Sequence, residues 1–307
     1  MRYRGPLILL IVGAATLTIR ALLDSRFANS TLLYLVVPFI ISIALFGLTK
    51  PSGRSGLGWQ YLNHLRTATI VFLATSALLF EGFLCVLMFM PIYYVAVSVG
   101  YLFRWMFDRD GSTRNLSLSI PAVVAILAAE GLTPATTPSR DQTATWSTIA
   151  DADVATLQAN MARPIVFPPR GRQFFSMFPL PDQVHSGSLA AGDVHRLRFT
   201  YKKWFLTNYS QGWLHLRIDE VTPRHIRTKV IGNDAYLSHY MEIDGTDVWF
   251  DPLPDGRTRV TLTIRYRRLL DPAWYFAPMQ QLAVEQSARY LVQSIILRRQ
   301  GEQVSGA

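Results

Sequence analysis

Five histidines in the C-terminal half are the residues best suited to acid–base or metal chemistry. They are His185, His195, His215, His225 and His239. Imidazole titrates near neutral pH and binds transition metals, so each is a candidate base or ligand. None has the HxH or HExxH spacing that brings two imidazoles to one face of an element, so the sequence predicts no metal site. We keep two of them, His195 and His239, as candidate general bases.

No nucleophile or nucleotide motif accompanies these histidines. The patterns GxSxG, GxGxxG and GxxxxGK[ST] are absent from the sequence. His239 and Glu242 lie three residues apart on a predicted strand, which places them on opposite faces. Asp244 and Asp247 occur in the stretch DGTD and are predicted to form a turn. The sequence favours a non-catalytic role, leaves an enzymatic one open and predicts no cofactor.

Aromatic side chains are a second set of candidates. Small-molecule pockets are mostly apolar with a few polar groups, and we predict that Tyr240, Trp249, Tyr266 and Tyr290 line one. The stretch KKWFLTNY places the pair Trp204-Phe205 beside two lysines, a composition typical of a membrane-interface contact. The alternative for this pair is a loop that folds back on the body of the domain.

The composition divides the chain into two regions. Half of the 307 residues are hydrophobic and only 17% are charged, against about 25% in an average soluble protein. Residues 1–140 hold 11 Lys/Arg and 5 Asp/Glu, whereas residues 141–307 hold 19 and 16. Most of the net charge of +9 therefore lies between apolar segments, which excludes a nucleic-acid-binding signature. The single cysteine, Cys85, excludes an intramolecular disulfide.

The apolar half is predicted to cross a membrane five times. A crossing needs about 20 apolar residues. The predicted crossings come close to this length and are segments 6–23, 31–48, 67–81, 84–104 and 116–132. The third and fourth segments would form a hairpin that turns near Glu81, since a carboxylate at the bilayer centre is costly. A single long crossing is the alternative to the hairpin. A proton relay through Glu81 is the less favoured functional interpretation, because no second carboxylate, histidine or lysine lies at comparable depth and an ion pair with Arg20 would be structural.

The charge of the connecting loops predicts the orientation of the chain. With five crossings, segments 1–5, 49–66 and 104–115 carry 8 basic residues on one side, whereas loop 24–30 carries only Arg26. The positive-inside rule then places the N-terminus in the cytoplasm and the C-terminal domain outside it. We expect a multi-pass protein of a bacterial inner membrane.

The C-terminal half has the pattern of strands followed by a helix. After a linker at 133–141, alternation predicts strands at 143–150, 195–201, 213–218, 225–231, 236–253 (one long strand with a kink) and 259–267. Asp151 or Asp153 can cap a short helix that follows the first strand. Residues 163–183 are predicted to be irregular, and 275–299 form a long helix with one apolar stripe. The long helix can cover the apolar face of an antiparallel sheet and enclose a cavity.

This order of elements resembles a known superfamily. The stretches SLAAGDVHRLRF, VTPRHIRTKV and the C-terminal segment 256–296, which contains DPAWYF, are similar to START-like (SRPBCC, polyketide cyclase/dehydrase-like) domains. The stretch at 81–105 resembles the membrane half of multi-pass bacterial proteins that carry such a domain. The resemblance implies an α+β helix-grip fold, an antiparallel sheet wrapped on a long C-terminal helix, and a cavity for an apolar ligand.

Together these observations predict a chain of four parts. Residues 1–132 form an all-α transmembrane bundle, 133–141 a linker, 142–300 a helix-grip domain and 301–307 a disordered tail. The predicted function is binding of an apolar, lipid-like ligand, for sensing or transfer at the bilayer. The alternatives are a membrane-tethered cyclase or hydrolase with His195 or His239 as base, and a non-catalytic scaffold for a membrane partner. The predicted partners are a lipid or other apolar molecule and the bilayer, with no nucleic acid.

Overall fold

The computed structural model describes residues 138–163, 165–166, 181–185, 188–202 and 209–297, together with scattered residues between 58 and 130. The predicted crossings 6–23 and 31–48 and the turn at Glu81 lie outside the described residues. Cys85, the Trp204-Phe205 pair and the tail at 301–307 lie outside them as well.

The described residues between 58 and 102 are helical and hydrogen-bond to one another. The Tyr61 hydroxyl lies 2.6 Å from Ser98 Oγ, and Thr69 Oγ1 lies 2.6 Å from the Tyr94 hydroxyl. From Tyr61 to Thr69 the chain advances, whereas their partners go back from Ser98 to Tyr94. The described helical residues on the two sides therefore run antiparallel to each other. Helical conformation is present from Gly58, inside the predicted loop 49–66, because a helix can continue beyond the apolar run that a hydropathy pattern detects. Within the described residues, no helix combines the length and apolarity that a membrane crossing requires.

The C-terminal half forms one antiparallel sheet. It belongs to a compact unit that comprises Ser139–Leu269 and Phe276–Ala307. The spatial order of the strands is β1-β8-β7-β6-β5-β4-β3-β2, and every neighbouring pair is antiparallel. The strands are β1 Asp141–Ala150, β2 Ile165–Val166, β3 Pro181–His185, β4 Val194–Lys202, β5 Tyr209–Val221, β6 His225–Asn233, β7 Met241–Pro252 and β8 Thr258–Arg268.

The predicted alternation of β8 is confirmed and defines the two faces of the sheet. Val260, Leu262, Ile264 and Tyr266 are buried, whereas the intervening side chains are more exposed. The buried face packs against the apolar stripe of the C-terminal helix α2, Ala273–Leu291. We call this buried face the inner face and the opposite one the outer face.

The short helix that follows β1 is capped as predicted. Helix α1 spans Val154–Met161, and Asp153 Oδ1 accepts a hydrogen bond of 2.8 Å from the Thr156 amide. Of the two predicted caps, Asp153 therefore has this role. Side-chain capping of this kind satisfies an amide at the start of a helix that has no partner within it.

Helix α2 does not continue as a regular α-helix over the predicted segment 275–299. It begins at Ala273 and passes into a π-helical turn at Val292–Ile296. Buried Asn160 of α1 donates a 2.9 Å hydrogen bond to the Ile296 carbonyl. The carbonyls at the end of a helix have no partner within it, so this side chain satisfies one of them and joins the two helices.

Three predictions about the strands need correction. The segment 163–183, predicted to be irregular, contributes β2 and the start of β3. Asp244 and Asp247 lie within β7, not in a turn, because a β-bulge between Ile243 and Gly245 carries the strand through DGTD. The predicted strand 236–253 is likewise divided into a 3₁₀ turn at Tyr236–His239 and β7.

Candidate functional site

A cavity of about 90 Å³ lies between the inner face of the sheet and the end of α2. Strands β3 to β8, the helical segments and one loop contribute to its wall. The lining side chains are Met161, Val184, Leu189, His195, Leu197, Leu216, Ile218, Ile226, Thr228, Thr246, Val248, Leu262, Leu291, Ile295 and Ile296.

The wall of this cavity is apolar apart from three side chains. Among the described residues that line it, His195, Thr228 and Thr246 carry the only polar side-chain groups, and none is a carboxylate, lysine or arginine. A charged ligand would lose its hydration here without gaining an opposite charge, which costs several kcal/mol. Pockets for drug-sized ligands hold about 300–1,000 Å³. The arrangement therefore suits an uncharged apolar molecule, or the apolar part of one, that is smaller than a typical drug.

Two threonines form a hydrogen-bonded pair on the cavity wall. Thr228 of β6 and Thr246 of β7 are cross-strand partners, and their Oγ1 atoms are 2.8 Å apart. Thr228 Oγ1 also accepts a 3.2 Å hydrogen bond from the Thr246 amide. The two hydroxyl groups are thus hydrogen-bonded to each other, and both side chains lie on the mostly apolar wall of the cavity.

His195 is held by the loop that precedes β4. Its Nε2 lies 2.7 Å from the Ser188 carbonyl, which can only accept, so Nε2 carries the hydrogen. Ser188 Oγ is itself hydrogen-bonded to Asp193 and accepts from the Ala190 amide at 3.1 Å. In the neutral ring the other nitrogen, Nδ1, is then the basic one. Of the two predicted general bases, His195 lines the cavity, whereas the side chain of His239 lies outside the described part of the chain.

Opposite the cavity, the outer face of the sheet carries a charged cluster around Asp247. Buried Asp247 accepts hydrogen bonds from His225 Nε2 at 3.0 Å and Arg227 Nε at 2.8 Å, and it pairs with Arg265. The His225 ring stacks on Trp249 with centroids 3.8 Å apart. Burial lowers the pKa of His225, and the charges of Arg227 and Arg265 act in the same direction, while Glu220 opposes them.

The four aromatic residues predicted to bind a ligand do not come together. Tyr266 is buried in the core on the inner face, and Trp249 is 43% exposed on the outer face. The Tyr240 hydroxyl donates a 2.9 Å hydrogen bond to that of Tyr236, and Tyr290 packs beside a second core cluster on β3 to β5. None of the four is among the side chains that line the cavity, and their role in ligand binding stays a prediction.

The remaining histidines are spread over the sheet. Exposed His185 has its ring centroid 5.6 Å from that of Trp213, and half-buried His215 lies on the outer face. Across the residues that the structure describes, no three His, Cys, Asp or Glu side chains come close enough together to hold a metal ion.

Sequence reasoning missed the polar residues that the structure brings to the inner face. Thr228 alternates with Ile226 and Val230 in HIRTKVI, so a threonine within an apolar alternation was the available signal. Arg268 continues the inner-face alternation of β8 and is fully buried. Its charge lowers the pKa of Tyr266, although burial of the phenol raises that pKa more strongly.

Comparison with known proteins gives a likeness at the level of structure alone. No protein-family model and no curated protein matches the chain. The C-terminal half is similar to helix-grip proteins. A START superfamily protein from Mycobacterium smegmatis is 11% identical, with a TM-score of 0.33, and the match covers 50% of this chain and 92% of that one.

Two further solved structures are similar to the same half of this chain, at comparably low sequence identity. The ZhuI aromatase/cyclase from Streptomyces is 13% identical, with a TM-score of 0.33, over 51% of this chain and 92% of its own. The ginseng major latex-like protein 151 from Panax ginseng is 14% identical, with a TM-score of 0.29, over 50% and 99%. Scores of this size carry no function to the present chain.

Proposed function

We propose that the C-terminal domain binds an uncharged apolar small molecule between the inner face of the sheet and α2. The observation that carries the proposal is the composition of the cavity wall: of the fifteen described side chains that form it, twelve are apolar and none is a carboxylate, lysine or arginine. Burial of a ligand there gains about 25 cal/mol for each Å² of apolar surface removed from water. The size of the cavity suits one small molecule or one end of a lipid-like chain.

We further propose that the N-terminal half anchors this domain at a membrane, so that ligand exchange occurs near the bilayer. Support comes from large apolar side chains that are exposed on its described helical residues, among them Trp59 at 68%, Leu62 at 57% and Ile70 at 57%. Exposed apolar side chains of this size are costly in water and favourable in lipid. An extracytoplasmic location of the domain remains part of this proposal, as does the membrane-interface contact of Trp204 and Phe205.

Native mass spectrometry of the full chain, released from lipid nanodiscs, tests the binding proposal. We expect an adduct whose mass matches a neutral apolar molecule. Val248→Phe, which places a larger side chain at the cavity wall, should abolish the adduct. Val221→Phe makes the same change at an exposed position of β5 and should retain it. A wild-type chain that stays empty when it is offered lipid extract would contradict the proposal.

His195 supports a second candidate, a hydrolytic or cyclising enzyme that acts on a ligand in the same cavity. The supporting observation is that Nε2 is engaged by the Ser188 carbonyl, so Nδ1 of the neutral ring is free to act as a base. Hydrolysis of p-nitrophenyl butanoate by the full chain tests it. His195→Gln should remove the activity, and His215→Gln on the outer face should not. Equal rates for the wild type and His195→Gln would exclude His195 as the base of that reaction.

A further inference from the structure

The pair of threonines on the cavity wall has one more hydroxyl hydrogen than its own hydrogen bonds use. One hydroxyl donates to the other across 2.8 Å, and Thr228 Oγ1 also accepts from the Thr246 amide. Within the described residues no other hydrogen bond of these two side chains occurs. One hydroxyl hydrogen therefore remains as a donor at the wall of an apolar cavity, whichever threonine carries it.

The position of this donor is fixed from the other side of the sheet. Arg265 Nη2 donates a 3.2 Å hydrogen bond to the Thr228 carbonyl, and Arg265 is in turn paired with Asp247 and Asp244. Gly245 precedes Thr246 at the β-bulge, where a Cβ atom would collide with the Thr228 carbonyl oxygen. A glycine at this point allows the close approach of β6 and β7 that brings the two hydroxyls together.

We propose that this pair is the polar anchor for the ligand, which is a neutral apolar molecule bearing one hydrogen-bond-accepting oxygen, such as a ketone, ester or ether. The inference rests on the proposed binding function and specifies its ligand class. A hydrocarbon would leave the donor without an acceptor in a dry site, which is unfavourable. A carboxylate would be buried against described side chains that include no lysine or arginine, which is more unfavourable still.

Matched probes of one shape test the anchor. Cyclohexanone and methylenecyclohexane differ only in the replacement of the carbonyl oxygen by a methylene group. Their binding to the full chain in nanodiscs is followed through the methyl resonances of Val248 and Leu262, which line the cavity. On binding, the ketone exchanges its hydrogen bonds to water for one to the protein, whereas the alkene has none to exchange, so the informative quantity is the ratio of the two affinities in the wild type and in a variant without the two hydroxyls. We expect the ketone-to-alkene affinity ratio to be about five- to tenfold higher in the wild type, as one hydrogen bond provides. Cyclohexanecarboxylate should bind more weakly than the ketone at pH 7.

The sheet offers a closely matched control. Thr145 and Thr263 are also cross-strand partners with Oγ1 atoms 2.9 Å apart, but they are exposed on the outer face. Thr228→Val with Thr246→Val should lower the ketone-to-alkene affinity ratio by that factor, and Thr145→Val with Thr263→Val should leave the ratio unchanged. If the cavity variant does not fold, the test is instead a measurement of the ¹³C carbonyl resonance of cyclohexanone bound to the wild type. A downfield position relative to the ketone in a hydrocarbon solvent is then expected.

The possible outcomes separate the two proposals. A ketone-to-alkene affinity ratio that is unchanged in the folded cavity variant, or a carbonyl resonance at its hydrocarbon position, overturns the anchor and leaves apolar binding in place. A wild-type chain in which neither neutral probe shifts the methyl resonances at saturating concentration overturns the binding function itself.

Discussion

Arg265 on the outer face donates a hydrogen bond to the carbonyl of Thr228, whose side chain lines the cavity on the inner face. The distance between Nη2 and that carbonyl oxygen is 3.2 Å. The charged cluster and the cavity wall are therefore joined through a single residue of β6, and changes on one face should affect the other.

Replacement of Arg265 by Met should destabilise the domain by about 2 kcal/mol, because buried Asp247 loses a charged partner and the Thr228 carbonyl loses a donor. Chemical denaturation followed by circular dichroism measures the free energy of unfolding. Arg267→Met is the control, since exposed Arg267 lies two residues further along the same outer face, and it should change stability by less than about 0.5 kcal/mol. Equal losses in the two variants would mean that the Asp247 cluster contributes no particular stability.

Gly245→Ala should destabilise the domain and weaken ligand binding together, because the new Cβ would overlap the Thr228 carbonyl oxygen and separate β6 from β7. The matched change is Gly232→Ala, whose Cβ would meet nothing closer than 3.8 Å. Thermal unfolding of both variants gives the comparison. A Gly245→Ala variant as stable as Gly232→Ala would show that the bulge can relax without cost.

His225 should make the domain less stable in mild acid. Burial lowers its pKa in the folded state, so an unfolded chain binds a proton at a higher pH than the folded one does. The stability that neutral His225 contributes is complete above the unfolded pKa of about 6.5, and it is lost as the pH falls from there through the lower folded pKa. The groups that face the ring are Asp247, Glu220, Arg227, Arg265 and the stacked Trp249.

The measurement for His225 is the free energy of unfolding between pH 8 and pH 5, in the wild type and in His225→Gln. The variant should lose part of the dependence on pH, whereas His215→Gln on the outer face should keep it. Parallel curves for the wild type and His225→Gln would remove His225 as the source of the acid sensitivity.

The hydroxyl of Tyr266 is buried without a hydrogen-bond partner in the described residues. Tyr266→Phe should therefore leave stability unchanged or raise it by about 1 kcal/mol, since the phenol no longer has to be desolvated. Tyr240→Phe is the informative comparison, because it removes the 2.9 Å hydrogen bond to Tyr236 and should cost about 1 kcal/mol. A loss of stability or of ligand binding in Tyr266→Phe would point to a bound molecule at this hydroxyl.

The sequence predicts the elements of the sheet more successfully than the wall of its cavity, and the reason is physical. Alternation in β8 and the Asp153 cap are local patterns, and both are confirmed. Alternation does not predict strand β3, because PDQVH begins with proline and has one strongly apolar residue, Val184. Its place in the sheet depends on pairing with β4 across a bulge.

The cavity could not be located by the same means. Alternation places Thr228 and Thr246 on the inner face, but which inner-face side chains border empty space depends on how the helix and neighbouring strands fill the volume. Large aromatic residues were the chosen candidates, and large side chains more often fill a core than leave space, as buried Tyr266 illustrates. The missed signal was chemical, since a threonine inside an apolar alternation marks a polar position on a buried face.

The pairing of β1 with β8 has a consequence for the synthesis of the protein. Asp141 of β1 is registered with Arg267 of β8, and β8 is the strand that joins β1 to the sheet. Strand β1 is synthesised before the other strands of this sheet, but it acquires its partner only after β8 has been synthesised. Helix α2, which covers the inner face, is synthesised later still. We expect the domain to close only after translation has passed residue 291, with the apolar inner face exposed to chaperones until then.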